Sequence, residues 1–176
     1  NEVMNLVGPA SLPDFWSRHA WDSAQLINLA PEARAWADLG AGAGLPGLVL
    51  AILGKGVLGF HVDLVESMTK RCKFLSEVVE ALELPATVRN TRAENLSLKV
   101  DIVTARACAP LARLVEFARG YLKEGAVGLF LKGEGVEAEL ATARKANWKF
   151  KFELLPSRSS EGGRIVRMKG APRARH

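Results

Sequence analysis

At 176 residues, 48% of them hydrophobic and with a net charge of +5, the chain is long enough for one buried core and too apolar to be disordered. No apolar run approaches the roughly 20 residues that a membrane helix needs, because Lys55 and the charged residues after Glu66 interrupt each candidate. Asn1-Glu2-Val3-Met4-Asn5 has no secretory pattern, and two cysteines and three histidines (His19, His61, His176) form no close ligand pairs, so a cytoplasmic protein with free thiols and no metal is expected.

In chain order, residues 13–29 predict an amphipathic helix: Pro13 suits a first turn, and Phe15, His19, Asp22 and Leu26 keep helical spacing. Short apolar runs at 35–39, 60–65, 86–89, 102–105 and 127–131 then read as strands buried on both faces. Between them, 45–53, 68–82, 111–122 and 136–143 repeat apolar residues at helical spacing. This alternation predicts an α/β domain with a mostly parallel sheet covered on both sides. After that the rhythm changes: 150–155 and 164–168 flank a turn-rich stretch with no helical pattern, which predicts a closing antiparallel hairpin. No linker divides the sequence, so 1–176 is expected to be a single domain.

The charge is unevenly placed. From Arg144 to His176 ten Lys and Arg stand against Glu153 and Glu161, a net +8 that leaves −3 for the rest. Such a segment suits a polyanionic partner, with Lys149, Lys151, Arg164 and Arg167 on the hairpin as phosphate contacts. Non-enzymatic RNA binding would need no more than this.

The chemistry gathers around Gly40-Ala41-Gly42-Ala43-Gly44, which follows a strand and precedes Pro46, where a helix should start. Glycines permit a sharp turn and close ligand approach, and the helix start offers free amides. A side chain at Gly40 would then occupy space that a cofactor needs. Gly42, Gly44 and Gly47 also satisfy the dinucleotide pattern, and Glu66, ending the second strand, suits the ribose hydroxyls of either cofactor class. An NAD(P)-binding oxidoreductase therefore stays open at the loop. The hairpin favours a methyltransferase, since a dinucleotide fold needs a second mononucleotide half and a substrate domain, for which 176 residues leave little room.

Taken together, Arg18-His19-Ala20-Trp21-Asp22-Ser23, Asp38 through Gly47, Glu66 through Leu75, Arg92-Ala93-Glu94, Thr104-Ala105-Arg106-Ala107 and Leu131-Lys132-Gly133 form an ordered set. In that set the chain resembles the bacterial methyltransferases that modify ring position 7 of a guanine in 16S ribosomal RNA, historically called glucose-inhibited division protein B. The resemblance implies a Rossmann-like class I S-adenosylmethionine-dependent fold and 16S ribosomal RNA within the small subunit as partner. It implies that Gly40 and Leu45 line the donor's methionine end, that Ala93 and Glu94 bracket its adenine, and that Arg106 borders the transfer site as both a cofactor-binding and the catalytic residue; Gly42 and Gly44 of the loop are expected to bind the donor too. Lys70, Arg71 and Lys132 are expected toward RNA, with Lys73 beside the first two. The family carries a further helical segment before Asn5-Leu6 and a Thr at the place of Val7, so the chain reads as N-terminally shortened.

Ring nitrogen 7 carries a lone pair and no proton, so its methylation needs no general base. No Asp/Asn-Pro-Pro-aromatic segment for amine methylation follows the fourth strand. Cys108 would suit carbon-5 methylation of cytosine only with a basic partner, and the sequence supplies none nearby. His19 and Asp22, three residues apart on one helix face, fit either a site role or an intrahelical pair.

Overall fold

The structure, a computed structural model, describes residues 8, 12–145 and 150–170, the side chains of 143–145 apart. Val7, the Asn5-Leu6 element, Lys149 and residues 171–176 lie outside the described residues. Among the described residues seven strands, β1 (Ala35–Leu39), β2 (His61–Glu66), β3 (Ala86–Asn90), β4 (Ile102–Arg106), β5 (Val127–Lys132), β6 (Phe150–Pro156) and β7 (Arg164–Gly170), form one sheet in the order β3-β2-β1-β4-β5-β7-β6. The first five are parallel, while β7 runs antiparallel to both β5 and β6. A sixth parallel strand would mark a dinucleotide fold. The reversed β7 at that place removes the oxidoreductase alternative.

Side chains alternate across the strands into two cores. Ala37, Leu39, Val103, Phe130 and Val166 pack with α4 (Leu111–Lys123) and α5 (Val136–Lys145). Trp36, Leu64, Leu129 and Ile165 pack with α1 (Asp22–Asn28), α2 (Gly47–Leu53) and α3 (Thr69–Ala81). Each fully buried leucine in these layers, Leu26, Leu50, Leu64 and Leu75 among them, contributes about 2 kcal/mol.

Three departures from sequence pattern have local causes. The expected continuous helix 13–29 is a π-helical stretch, Trp16–Trp21, followed by α1. There the His19 carbonyl takes hydrogen bonds from the Ser23 hydroxyl (2.6 Å) and an Arg106 amine (3.4 Å), side-chain insertions of the kind that disturb a helical ladder. α2 begins two residues later than the apolar pattern, because 42–46 are turns and the Gly47 amide donates to Asp38 Oδ2 (2.8 Å). A 3-10 turn, Ala93–Asn95, follows β3 where only a loop was expected.

Candidate active site

The carboxyl ends of β1, β2 and β4 and the turn after β3 converge, as a parallel sheet's crevice requires. The Gly40 and Ala41 amides donate to the Val65 carbonyl (2.8 and 3.0 Å), locking the glycine loop onto β2. Glu66 is buried at 5% exposure; its Oε2 accepts the Gly42 amide (3.0 Å) and its Oε1 the Met68 amide (2.8 Å). The loop is therefore held open by a carboxylate that faces the same crevice.

The crevice has a volume of about 490 Å³ and brings together Gly40, Gly42, Leu45, Glu66, Ala93, Glu94 and Arg106. Gly44, expected among them, does not line it: its missing Cβ faces Leu48 and Leu75. Gly40 lines the crevice and has a packing role besides. At φ +68° a Cβ there would lie 2.8 Å from the Cys108 Cβ, so packing against the loop after β4 demands the glycine. Gly42 is the position where a Cβ, at φ +55°, meets nothing closer than 3.6 Å, and it lies on the crevice.

Arg71 was expected toward RNA, but its guanidinium stands 3.7 Å from Glu66 in the crevice wall. Lys70, one residue earlier on α3, is exposed and outside the crevice. Phe117, with Arg113 stacked 5.5 Å over its ring, lines the crevice near Ala93 and Glu94. Its helix pattern carries no sign of that, because an inward aromatic on α4 reads as core.

A second cleft of about 610 Å³ adjoins the first and shares Arg106 and Ala107 with it. Arg18, Asp22, Lys132, Glu139, Ser159 and Gly163 stand around it. At the junction Ala107 holds φ +49°, a left-handed conformation that costs a non-glycine residue about 1 kcal/mol, of the sort found at functional sites. The Arg106 guanidinium, 19% exposed, donates to the Arg18 carbonyl (2.7 Å) and lies 3.9 Å from Asp22. His19 faces the donor-side crevice and Asp22 the second cleft, and the Asp22 charge acts on the His19 imidazole.

Lys132 is not a free phosphate contact. Its amine pairs with Glu139 at 2.9 Å and donates to the Ala109 carbonyl at 3.2 Å, while Glu139 also accepts the Leu111 amide. Two of the hairpin cations are likewise committed within the fold. Arg167 pairs with Glu153 (3.3 Å) and donates to the Leu29 carbonyl (2.8 Å); Arg164 donates to Glu161 and Gly163 carbonyls and lies 3.9 Å from Glu137. Lys151 remains exposed, opposite exposed Lys169 across the β6–β7 ladder.

Burial, with Asp38 and Glu66 nearby, pushes the Cys108 thiol up to about 11, which opposes a thiolate nucleophile. Burial and the Arg106 and Arg18 charges lower the His19 pKa, favouring a neutral imidazole. Among the described residues, no group of three or more His, Cys, Asp or Glu could hold a metal ion.

Asp38, wholly buried beneath the loop, is pushed up from 3.8 to about 7, by burial above all. The folded state then keeps between pH 4 and 7 a proton that the unfolded state releases, so stability from this group is present at low pH and is lost as pH rises through 7. Asp38→Asn keeps an acceptor for the Gly47 amide without the charge. Its melting-temperature gain over the unaltered chain should grow from about pH 5 to about pH 8. A gain independent of pH would show that Asp38 is already ionised at the lower value.

The model of the family described as rRNA small subunit methyltransferase G matches residues 1–171. A Caulobacter vibrioides protein named ribosomal RNA small subunit methyltransferase G is 65% identical, over 99% of this chain and 81% of that relative. One of the same name from Methylorubrum populi is 51% identical, over 94% of this chain and 80% of its own. Among solved structures, the magnesium protoporphyrin IX methyltransferase of Synechocystis with bound S-adenosylmethionine aligns with a TM-score of 0.64 at 14% identity, over 92% of this chain and 82% of that one. The Pyrococcus abyssi tRNA (uracil-54, C5)-methyltransferase aligns with a TM-score of 0.60 at 16% identity, over 85% of this chain and 37% of that one. The fold is that of class I S-adenosylmethionine-dependent methyltransferases.

Proposed function

The chain belongs to the rRNA small subunit methyltransferase G family, and on that premise we propose that it methylates ring nitrogen 7 of a guanine in 16S ribosomal RNA, with S-adenosylmethionine as donor. The observation that carries this reading is the pair of adjoining clefts that meet at Arg106 and Ala107, one for the donor and one for the base. The first is large enough for a cofactor of this size, and its open Gly42 and fixed Glu66 suit the donor's methionine end and ribose. Gly40 and Leu45 complete the methionine end, and Ala93, Glu94 and Phe117 surround the adenine. The bound donor supplies an electrophilic methyl group on a sulfonium.

The protein's own part is then positional. Arg106 and Ala107 fix the boundary that the acceptor nitrogen must reach, and proximity with in-line orientation does the rest. No proton has to leave ring nitrogen 7, which agrees with a junction where the thiol stays protonated and the imidazole neutral. We take the chain as one domain acting on the small subunit in the cytoplasm. One continuous sheet supports the first point, and no helix among the described residues is long and apolar enough to cross a membrane.

Calorimetry with S-adenosylmethionine and with NAD, followed by methyl transfer to unmethylated small subunits and mapping of the product base, tests the proposal. Binding of NAD alone, RNA binding without transfer, or a methyl at another position would each overturn it. Among the described residues, Lys70 and Lys151 are exposed cations within reach of phosphate, so Lys70→Ala and Lys151→Ala should each reduce the salt slope of RNA affinity by about one. Arg167→Ala, which breaks an internal tie to α1, should instead lower the melting temperature and leave the slope unchanged.

A further inference from the structure

One carboxylate links the turn between β6 and β7 to Arg106 across the second cleft. Asp22 Oδ1 accepts hydrogen bonds from Gln25 (2.8 Å) and from the hydroxyls of Ser157 (2.8 Å) and Ser159 (2.6 Å), 135 and 137 residues away in the chain. Its Oδ2 lies 3.9 Å from Arg106 Nε, and the Asp22 side chain is only 14% exposed. Gln25 doubles the tie to the same turn, donating to Ser157 (2.9 Å) and accepting the Arg158 amide (2.9 Å). The turn between β6 and β7 supplies Ser159 and Gly163 to the far side of the cleft, while Arg18, Asp22 and Arg106 form the near side.

Resting on the functional reading above, we infer that Asp22 is the positioning residue for the acceptor: it holds the β6–β7 turn and the Arg106 guanidinium in one frame into which the target base must fit. The argument is one of separation. None of the groups that hold the glycine loop, namely the Val65 carbonyl, the Glu66 carboxylate and the Asp38–Gly47 bond, bonds to Asp22. The glycine loop is built without it. On the acceptor side, two serine hydroxyls and a guanidinium converge on its two oxygens, and a guanidinium whose carboxylate is removed keeps only backbone carbonyls to orient it. Asp22 touches neither reacting atom; it acts through Arg106 and the turn.

The test compares Asp22→Asn with the double variant Ser157→Ala/Ser159→Ala, in steady-state and single-turnover methylation of small subunits and in donor calorimetry. Asp22→Asn should raise KM for the subunit at least tenfold and slow single turnover about tenfold, with S-adenosylmethionine affinity within twofold. The serine variant, which keeps the Asp22–Arg106 contact, should raise KM and leave single turnover near its original rate. Parallel loss of donor affinity and turnover in Asp22→Asn would reduce Asp22 to a fold-stabilising role and overturn the inference. If Asp22→Asn does not fold, the serine variant decides, and an unchanged KM there overturns it. No methylation by the unaltered chain would instead bring down the functional reading on which the inference stands.

Discussion

Arg106→Ala should lower single-turnover methylation at saturating RNA at least 100-fold while S-adenosylmethionine binds within a few-fold of the unaltered chain. A loss of that size corresponds to roughly 3 kcal/mol of transition-state stabilisation, the scale expected for a group that orients the acceptor at the moment of transfer. Arg106 ends β4, where a parallel sheet directs side chains into the crevice, and it is shared by both clefts. Its guanidinium also fastens the π-helical stretch through the Arg18 and His19 carbonyls. Arg106→Lys should not restore the rate, because an ammonium cannot reach two carbonyls and a carboxylate with a planar fork. Transfer by Arg106→Ala at the original rate would remove Arg106 from the site.

Gly42→Val should abolish measurable donor binding, at least 100-fold, with a folded protein left behind. The left-handed backbone there costs a valine about 1 to 2 kcal/mol, which a domain of this size tolerates, and the new side chain enters open crevice. Gly40→Ala should behave differently. Its Cβ meets the Cys108 Cβ at 2.8 Å, so it should lower the melting temperature first, and Cys108→Gly in the same chain should recover part of that loss. Unchanged donor affinity in Gly42→Val would overturn the placement of the donor on the loop. The contrast separates two glycines that look equivalent in the sequence.

Much of this architecture was legible in advance. Four of the five parallel strands are buried and read as apolar runs, whereas β3, expected to be buried like them, is the half-exposed edge; the change of rhythm after α5 marked the reversed pair that ends the sheet. Glu66 was found because a strand end before a helix directs its last side chain to the crevice. What escaped depends on contacts made across long sequence separations. Arg164 and Arg167 looked like free cations, but β6–β7 register sets Arg167 opposite Glu153 and packing brings Glu137 to Arg164. Arg71 and Lys70 are neighbours on one helix, and only its rotation about its axis, which charge pattern does not reveal, sends one to Glu66 and the other to solvent. The π-helical stretch could not be read either, since its cause is a guanidinium from β4.

The strand order β5-β7-β6 also has a consequence for how the molecule comes into being. β7 lies between its two neighbours although it follows both in sequence, so β6 has no place in the sheet until residues 164–170 have left the ribosome. The hydrogen-bond partners of the glycine loop are synthesised by residue 66, and the crevice lining is complete by Phe117. Asp22 must wait for Ser157 and Ser159, a contact of long sequence separation and therefore slow to form. The residues that line the first crevice are thus all synthesised before Ser157 and Ser159, which complete the Asp22 network.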